Sequence, residues 1–142
     1  DDPIHRLQTP PISLSPSLIE LLDIVVIMVH AKERGESSRR VKEVIEIESV
    51  DPNGTARTNT VYTWLASEDT FEFRGYSWIL QKISRNKGIP LETLRKEVVM
   101  RKRLLEWAQK QGVKDFRDVA GLITQYYKEK DKLIKKAKLS FT

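Results

Sequence analysis

The 142-residue chain has no cysteine, which excludes a disulfide framework, a thiolate metal site and a thiol nucleophile. It has two histidines, His5 and His30, and two imidazoles so far apart with no thiolate beside them do not make a zinc site. No apolar run reaches the ~18–20 residues that a membrane-spanning helix needs. The longest, Leu18 to Val29, is interrupted by Glu20 and Asp23, and reads as a helix-to-strand passage inside a fold. An acidic, proline-bearing opening is not expected to act as a signal peptide. No Gly-x-x-x-x-Gly-Lys-Ser/Thr segment occurs, so the backbone cradle and lysine that hold a triphosphate are not encoded here. No Ser/His/Asp set can be read, and no residue is assigned a catalytic role.

What is present describes a globular chain, with 39% hydrophobic and 32% charged residues. The net charge of +5 conceals an asymmetry. Residues 1–75 hold 8 Lys/Arg against 13 Asp/Glu, whereas residues 76–142 hold 17 against 7. A domain boundary is therefore expected near Gly75, with an acidic half 1–75 and a basic half 76–142.

Local patterns give an α+β order. Asp1 to Leu7 reads as the last turn of a helix. Thr9-Pro10-Pro11-Ile12 is expected to be extended, because proline disfavours helix at the residue before it. Ser15 is expected to cap a short helix with Pro16 at its first position. Ile24-Val25-Val26-Ile27-Met28-Val29 is β-branched and apolar on both sides, as a strand buried on two faces would be. Lys32 to Ser38, with Gly35, is a turn, and Val41 to Ile47 is a second strand. Asp51-Pro52-Asn53-Gly54 is a strong turn signal. Thr58 to Trp64 and Thr70 to Phe73 form a hairpin across Leu65 to Asp69.

After Gly75 the period lengthens to about 3.6. Three apolar stripes follow: Tyr76, Ile79, Leu80 and Ile83; then Leu91, Leu94, Val98, Arg101, Leu105 and Ala108; then Phe116, Val119, Ala120, Ile123 and Tyr126/Tyr127. Asp115 is expected to cap the third. Joining loops this short imply a three-helix unit.

The ordered set Ile4-His5-Arg6-Leu7, Thr9-Pro10-Pro11-Ile12, Leu22-Asp23-Ile24-Val25-Val26, Arg39-Arg40-Val41, Thr58-Asn59-Thr60-Val61, Trp64, Asp69-Thr70-Phe71-Glu72-Phe73 and Leu104-Leu105-Glu106-Trp107 resembles a known family. It is similar to the C-terminal region of the archaeal secretion-superfamily ATPases that drive type II secretion, type IV pili and the archaellum. The resemblance covers nearly the whole chain. It implies that residues 1–75 complete a RecA-like ATPase core with a β-hairpin, and that residues 76–142 form a basic helical bundle. It also implies a homo-hexameric ring on the cytoplasmic side of a membrane platform protein. ATP and Mg²⁺ would then belong to the parent protein, since the family's phosphate loop, acidic boxes and histidine box lie upstream. The start at Asp1 rather than at a methionine accords with a C-terminal piece of a larger machine. Pro90 departs from the pattern by standing where a polar helix cap is expected.

Within this resemblance, Arg6, Arg39 and Arg40 are the candidates to approach nucleotide, each with a local ion pair as its alternative. Glu46 is read as the partner of one of these arginines rather than as a base. Trp64, Phe71 and Trp78, with Phe73, are either a small core or a contact surface toward the rest of the ATPase. The carboxylate pairs Glu33/Glu36 and Asp115/Asp118 have local explanations in a charged turn and at a helix start. The run Lys128 to Lys138 is a basic helix, either solvated or drawn to an anionic surface. No motif that reads or stacks on bases accompanies it. A free-standing nucleic-acid-binding module is the rival reading of the basic half.

Overall fold

Alternating and β-branched residues dominate the middle of the first half, and they pair into an antiparallel meander. A computed structural model describes residues 3–31 and 38–138, in the order α1 (Pro3–Gln8), α2 (Pro16–Glu20), β1 (Ile24–His30), β2 (Arg39–Val50), β3 (Ala56–Leu65), β4 (Thr70–Phe73), α3 (Trp78–Lys87), α4 (Leu91–Lys110), α5 (Phe116–Lys128) and α6 (Lys130–Ala137). The fold is α+β, with one four-stranded sheet in the order β1-β2-β3-β4. Register places Val26 opposite Val44, Val44 opposite Tyr62, and Tyr62 opposite Phe73. The turn expected over Lys32–Ser38 and the pair Glu33/Glu36 lie outside the described residues, apart from Ser38.

The chain divides into two compact units, Asp1–Lys82 and Ile83–Thr142. The division falls within α3, seven residues beyond the change in charge. No helix among the described residues is long and apolar enough to cross a membrane.

In the first unit, α1 and α2 cover one face of the sheet. Ile4 and Ile19 pack on Ile47, with Leu7, Leu14, Leu22, Val25 and Val50 around them. Ser15 precedes α2 and Pro16 opens it, as expected, but the Ser15 side chain leaves the cap unmade and lies 3.0 Å from the Ser17 hydroxyl. Thr9 to Ile12 is a tight turn rather than an extended segment. The Ile12 and Ser13 N–H groups both donate to the Thr9 carbonyl, and the Pro10–Pro11 bond is cis. The Asp51–Gly54 turn forms as read: Gly54 N–H donates to Asp51 O at 2.9 Å, and the Asp51 carboxylate accepts from Thr55 N–H at 2.8 Å. Gly54 takes φ +88°, where a side chain would be strained, and its carbonyl accepts from Gln8 Nε2.

β1 differs from its expectation. Its residues alternate between half-buried and exposed, so Ile24, Val26 and Met28 face outward on the side that α1 and α2 leave open. β1 is also an outer strand of the sheet, with no second strand on its far edge among the described residues. A strand apolar on both sides marks a capacity for two-sided burial, and only one side is met within this unit.

In the second unit a three-helix arrangement was the expectation. After Gly75, four helices are found among the described residues, because Glu129 leaves helical geometry (φ −138°, ψ 48°) and separates α5 from α6. Asp115 caps α5 through its carboxylate, which accepts from Arg117 N–H at 2.9 Å. Pro90 stands at the start of α4 with no side-chain cap, and the N–H groups of Thr93 and Leu94 donate to its carbonyl.

The core of this unit is Met100, Leu104, Tyr126 and Leu133, with Trp107, Leu122 and Ile134 against it. The core stripe of α4 is therefore Met100, Leu104 and Ala108. Of the expected stripe, Val98 and Leu105 face outward. α6 is no solvated tail, since Leu133 is 0% exposed and packs between α4 and α5.

Leu133→Ala should destabilise this unit by about 2–5 kcal/mol, the range for deleting a fully buried leucine side chain. Leu21→Ala, at an exposed position, should fall within roughly 0.5 kcal/mol of the parent. Urea unfolding followed by far-ultraviolet circular dichroism distinguishes the two.

Candidate functional site

Three polar clusters organise the described residues, and each is built around one carboxylate. The first lies on the hairpin. Asp69, in left-handed geometry at the end of the β3–β4 loop (φ 53°), receives Arg40 Nε at 2.8 Å on Oδ1 and Arg40 Nη2 at 2.9 Å on Oδ2. Trp64 Nε1 donates to the same Oδ1 at 2.9 Å. A forked guanidinium–carboxylate pair fixes direction as well as distance. The hydrogen bonds to Asp69 hold the Arg40 pKa above its ordinary value. Arg40 is thereby committed to the hairpin, and the arginine partner expected to be Glu46 is Asp69.

Glu46 forms the second cluster and is, with Ser77, one of two buried polar residues among the described ones. Ser77 Oγ donates to its Oε1 at 2.6 Å, and Trp78 N–H donates to its Oε2 at 2.6 Å. Asn59 Nδ2 donates to Oε2 at 3.2 Å. Ser77 Oγ in turn accepts from Leu80 N–H at 3.2 Å. The carboxylate thus sits at the N-terminus of α3, where unpaired N–H groups and the helix dipole favour an anion. Its donors are protein groups that start a helix and clamp it to the sheet, which is a structural arrangement and not that of a general base facing substrate.

The third cluster joins α4, α5 and α6. Glu97 accepts from Arg101 Nε at 3.0 Å, from the Tyr126 hydroxyl at 3.0 Å and from Lys130 Nζ. Arg101 also donates to the Tyr127 hydroxyl at 3.2 Å, and its guanidinium lies 5.8 and 5.4 Å from the Tyr126 and Tyr127 ring centres. Burial alone pushes the Glu97 carboxyl up, but its bonds from Lys130, Arg101 and Tyr126 outweigh that and hold it below the usual carboxylate range. The bond to Glu97 raises Lys130 in return. Burial, then Glu97, raises Tyr126. Arg101 and Glu97 stand four apart on one helix, a spacing legible in sequence. Tyr126 and Lys130 are brought in only by the fold.

Beside this cluster runs an open groove of about 260 Å³, lined by Arg101, Leu104 and Leu105 from α4 and by Ile123, Tyr126 and Tyr127 from α5.

The residues singled out from sequence are scattered. Arg6 is exposed in the last turn of α1, and Arg39 is exposed at the first position of β2. Phe71 is exposed on β4 opposite half-buried Trp64, and half-buried Trp78 opens α3. Phe73 stacks on Tyr62 at 5.3 Å, tilted by 45°. These aromatics do not close into one buried cluster. His5 and His30 are both exposed on separate elements, and no group of three metal-ligating side chains occurs among the described residues. Of the three candidate arginines, Arg40 is bound to Asp69, and Arg6 and Arg39 stand on different elements.

With Glu97 depressed, its contribution is full above the unfolded-state value near pH 4.3 and is lost as pH falls through the lower folded-state value. Glu97→Gln should cost about 1–3 kcal/mol at neutral pH, the worth of charge-assisted hydrogen bonds. The difference between parent and variant should shrink on acidification, as read by urea unfolding at stepped pH. A difference unchanged down to strong acid would contradict this assignment.

A family described as "PilB3-like, C-terminal" matches residues 67–140. An uncharacterized protein of Methanocaldococcus jannaschii is 25% identical over 137 residues, 95% of this chain and 19% of the relative. A second uncharacterized protein of the same organism is 32% identical over 87 residues, 61% of this chain and 32% of the relative. The chain thus spans about a fifth and a third of the length of these two relatives. The family match takes in more than half of the residues, and the chain belongs to that family.

Proposed function

We propose that this member of the PilB3-like C-terminal family is the C-terminal region of a motor ATPase of the pilus and secretion type. The observation that carries the reading is the family match over residues 67–140. Relatives several times longer than the aligned part support it, because they leave room for an ATPase core outside this segment. In this reading the parent is an archaeal machine serving type IV pili, type II secretion or the archaellum. It works as a hexameric ring with ATP and Mg²⁺ held by other segments, on the cytoplasmic side of a membrane platform.

The sheet would finish a RecA-like core. Its half-exposed apolar residues Ile24, Val26 and Met28, and the edge of β1 that no strand covers among the described residues, are suited to that task. An exposed apolar strand edge is a pairing surface that a monomeric protein ordinarily blunts, and a continuous apolar face ordinarily marks an interface. Trp64, Phe71 and Trp78 would border the same contact. Arg6 and Arg39 would be the arginines left to approach nucleotide or a neighbouring subunit, Arg40 being held by Asp69.

Phosphoryl transfer is driven by positioned N–H groups, a lysine, a metal and an oriented water. The chain by itself should therefore hydrolyse no ATP. The test is a phosphate-release assay across a concentration series of the purified chain. Turnover that rises in proportion to its concentration would refute the division of labour proposed here. The rival reading as a nucleic-acid module rests on the charge of the basic half alone, and it requires a steep salt dependence of duplex binding.

A further inference from the structure

The residues whose periodicity best announces helix burial are the ones the second unit leaves uncovered. On α5, Phe116, Ala120, Ile123 and Tyr127 fall at spacings of four, three and four, which is one face of a helix. Phe116 is 73% and Tyr127 68% exposed, and Ala120 and Ile123 are exposed with them. On α4, Val98 and Leu105 form the matching exposed stripe, with Arg101 between them. α6 packs against both helices and fills the space on their inner side through Leu133. On the outer side the groove between α4 and α5 stays open. Its lining is aliphatic and aromatic, with the Arg101 guanidinium and the Tyr127 hydroxyl at its rim.

We infer that this groove is a docking site for an amphipathic helix of a partner, apolar along one face and acidic along its flanks. The geometry is that of helix-in-groove recognition, in which anchors at i, i+3, i+4 and i+7 enter a hydrophobic channel. Charge complementarity selects the flanks. Residues 83–142 carry 16 Lys/Arg against 7 Asp/Glu. Of the four acids on α4 and α5, Glu97 is engaged by Arg101 and Lys130 and Glu106 is paired with Lys102, while Glu92 and Asp118 stand in the first turns of their helices. The net charge of the unit that bears the groove is thus positive, which favours carboxylates on an incoming helix and opposes a basic one. Tyr127, stiffened by its contact with Arg101, supplies exposed aromatic area that loses little side-chain entropy on binding.

The probe is a fluorescein-labelled peptide of about 18 residues, long enough to lie along five helical turns. It carries leucine at i, i+3, i+4 and i+7 and glutamate elsewhere, and a second peptide replaces every glutamate with lysine. Anisotropy titration with the full chain should show saturable binding of the acidic peptide that weakens as salt rises. Binding of the basic peptide should be weaker by roughly tenfold or more. Leu105→Asp and Ile123→Asp, at exposed positions, should each lower the acidic peptide's affinity by roughly tenfold or more with unchanged circular dichroism, because each places an anion in an apolar contact. Amide shift mapping on the unsubstituted chain should move α4 and α5 resonances most, which keeps the test independent of any variant that misfolds.

Four outcomes would overturn the assignment. These are no saturable binding, equal affinity for the two peptides, shifts confined to other elements, and self-association in sedimentation that the groove substitutions abolish. The last would assign the groove to a second copy. Capture by phosphatidylserine vesicles without peptide binding would assign it to a membrane surface instead.

Discussion

Among the described residues of the first unit, two helices of six and five residues cover one face of a four-stranded sheet, and the first turn of α3 is held to the sheet through Glu46. A sheet hides apolar side chains on a face only where another layer lies against it. Val25 and Ile47 find that layer in Ile4 and Ile19. Ile24, Val26 and Met28, on the alternate positions of the same strand, do not. The covered face stabilises the unit, and the alternate positions of β1 leave apolar side chains about half exposed.

The polar interior follows a different logic. Glu46 and Glu97 are carboxylates drawn out of full solvent, and each is surrounded by donors. Leaving such a group without partners costs more than making the bonds gains, so each carboxylate fixes the groups around it. Glu46 locks the first turn of α3 to β2 and β3. Glu97 ties together three helices that share a small apolar core. Both carboxylates are thus engaged in holding elements of the fold together.

Much of this was legible from residue types. Asp51-Pro52-Asn53-Gly54 forms the turn it announces, Asp115 caps α5, and Pro16 opens α2, because each depends on contacts within four residues. The hairpin is present, with β3 starting at Ala56 rather than Thr58. The reading failed where a choice between faces had to be made. For α4 the periodicity favours the stripe through Val98, Arg101 and Leu105, whereas Met100 and Leu104 are buried, and only Ala108 of the expected stripe is buried with them. Both faces are apolar, and only the position of Leu133 and Tyr126 decides between them. Arg40 could not be paired from sequence, since Asp69 lies twenty-nine positions away. Thr9 to Ile12 turns tightly, and Leu14 N–H beyond it returns to the Leu7 carbonyl, a contact that the preference of a residue before proline does not contain.

The sequence by itself determined the α+β order, most element boundaries, the acidic and basic halves, and the family resemblance, because these rest on short-range backbone preferences and on composition. The tertiary structure alone decided which of two apolar faces is buried on β1, α4 and α5, and which acid holds which base. Burial and ion pairing depend on where distant segments come to rest, and periodicity carries no information about distance in space.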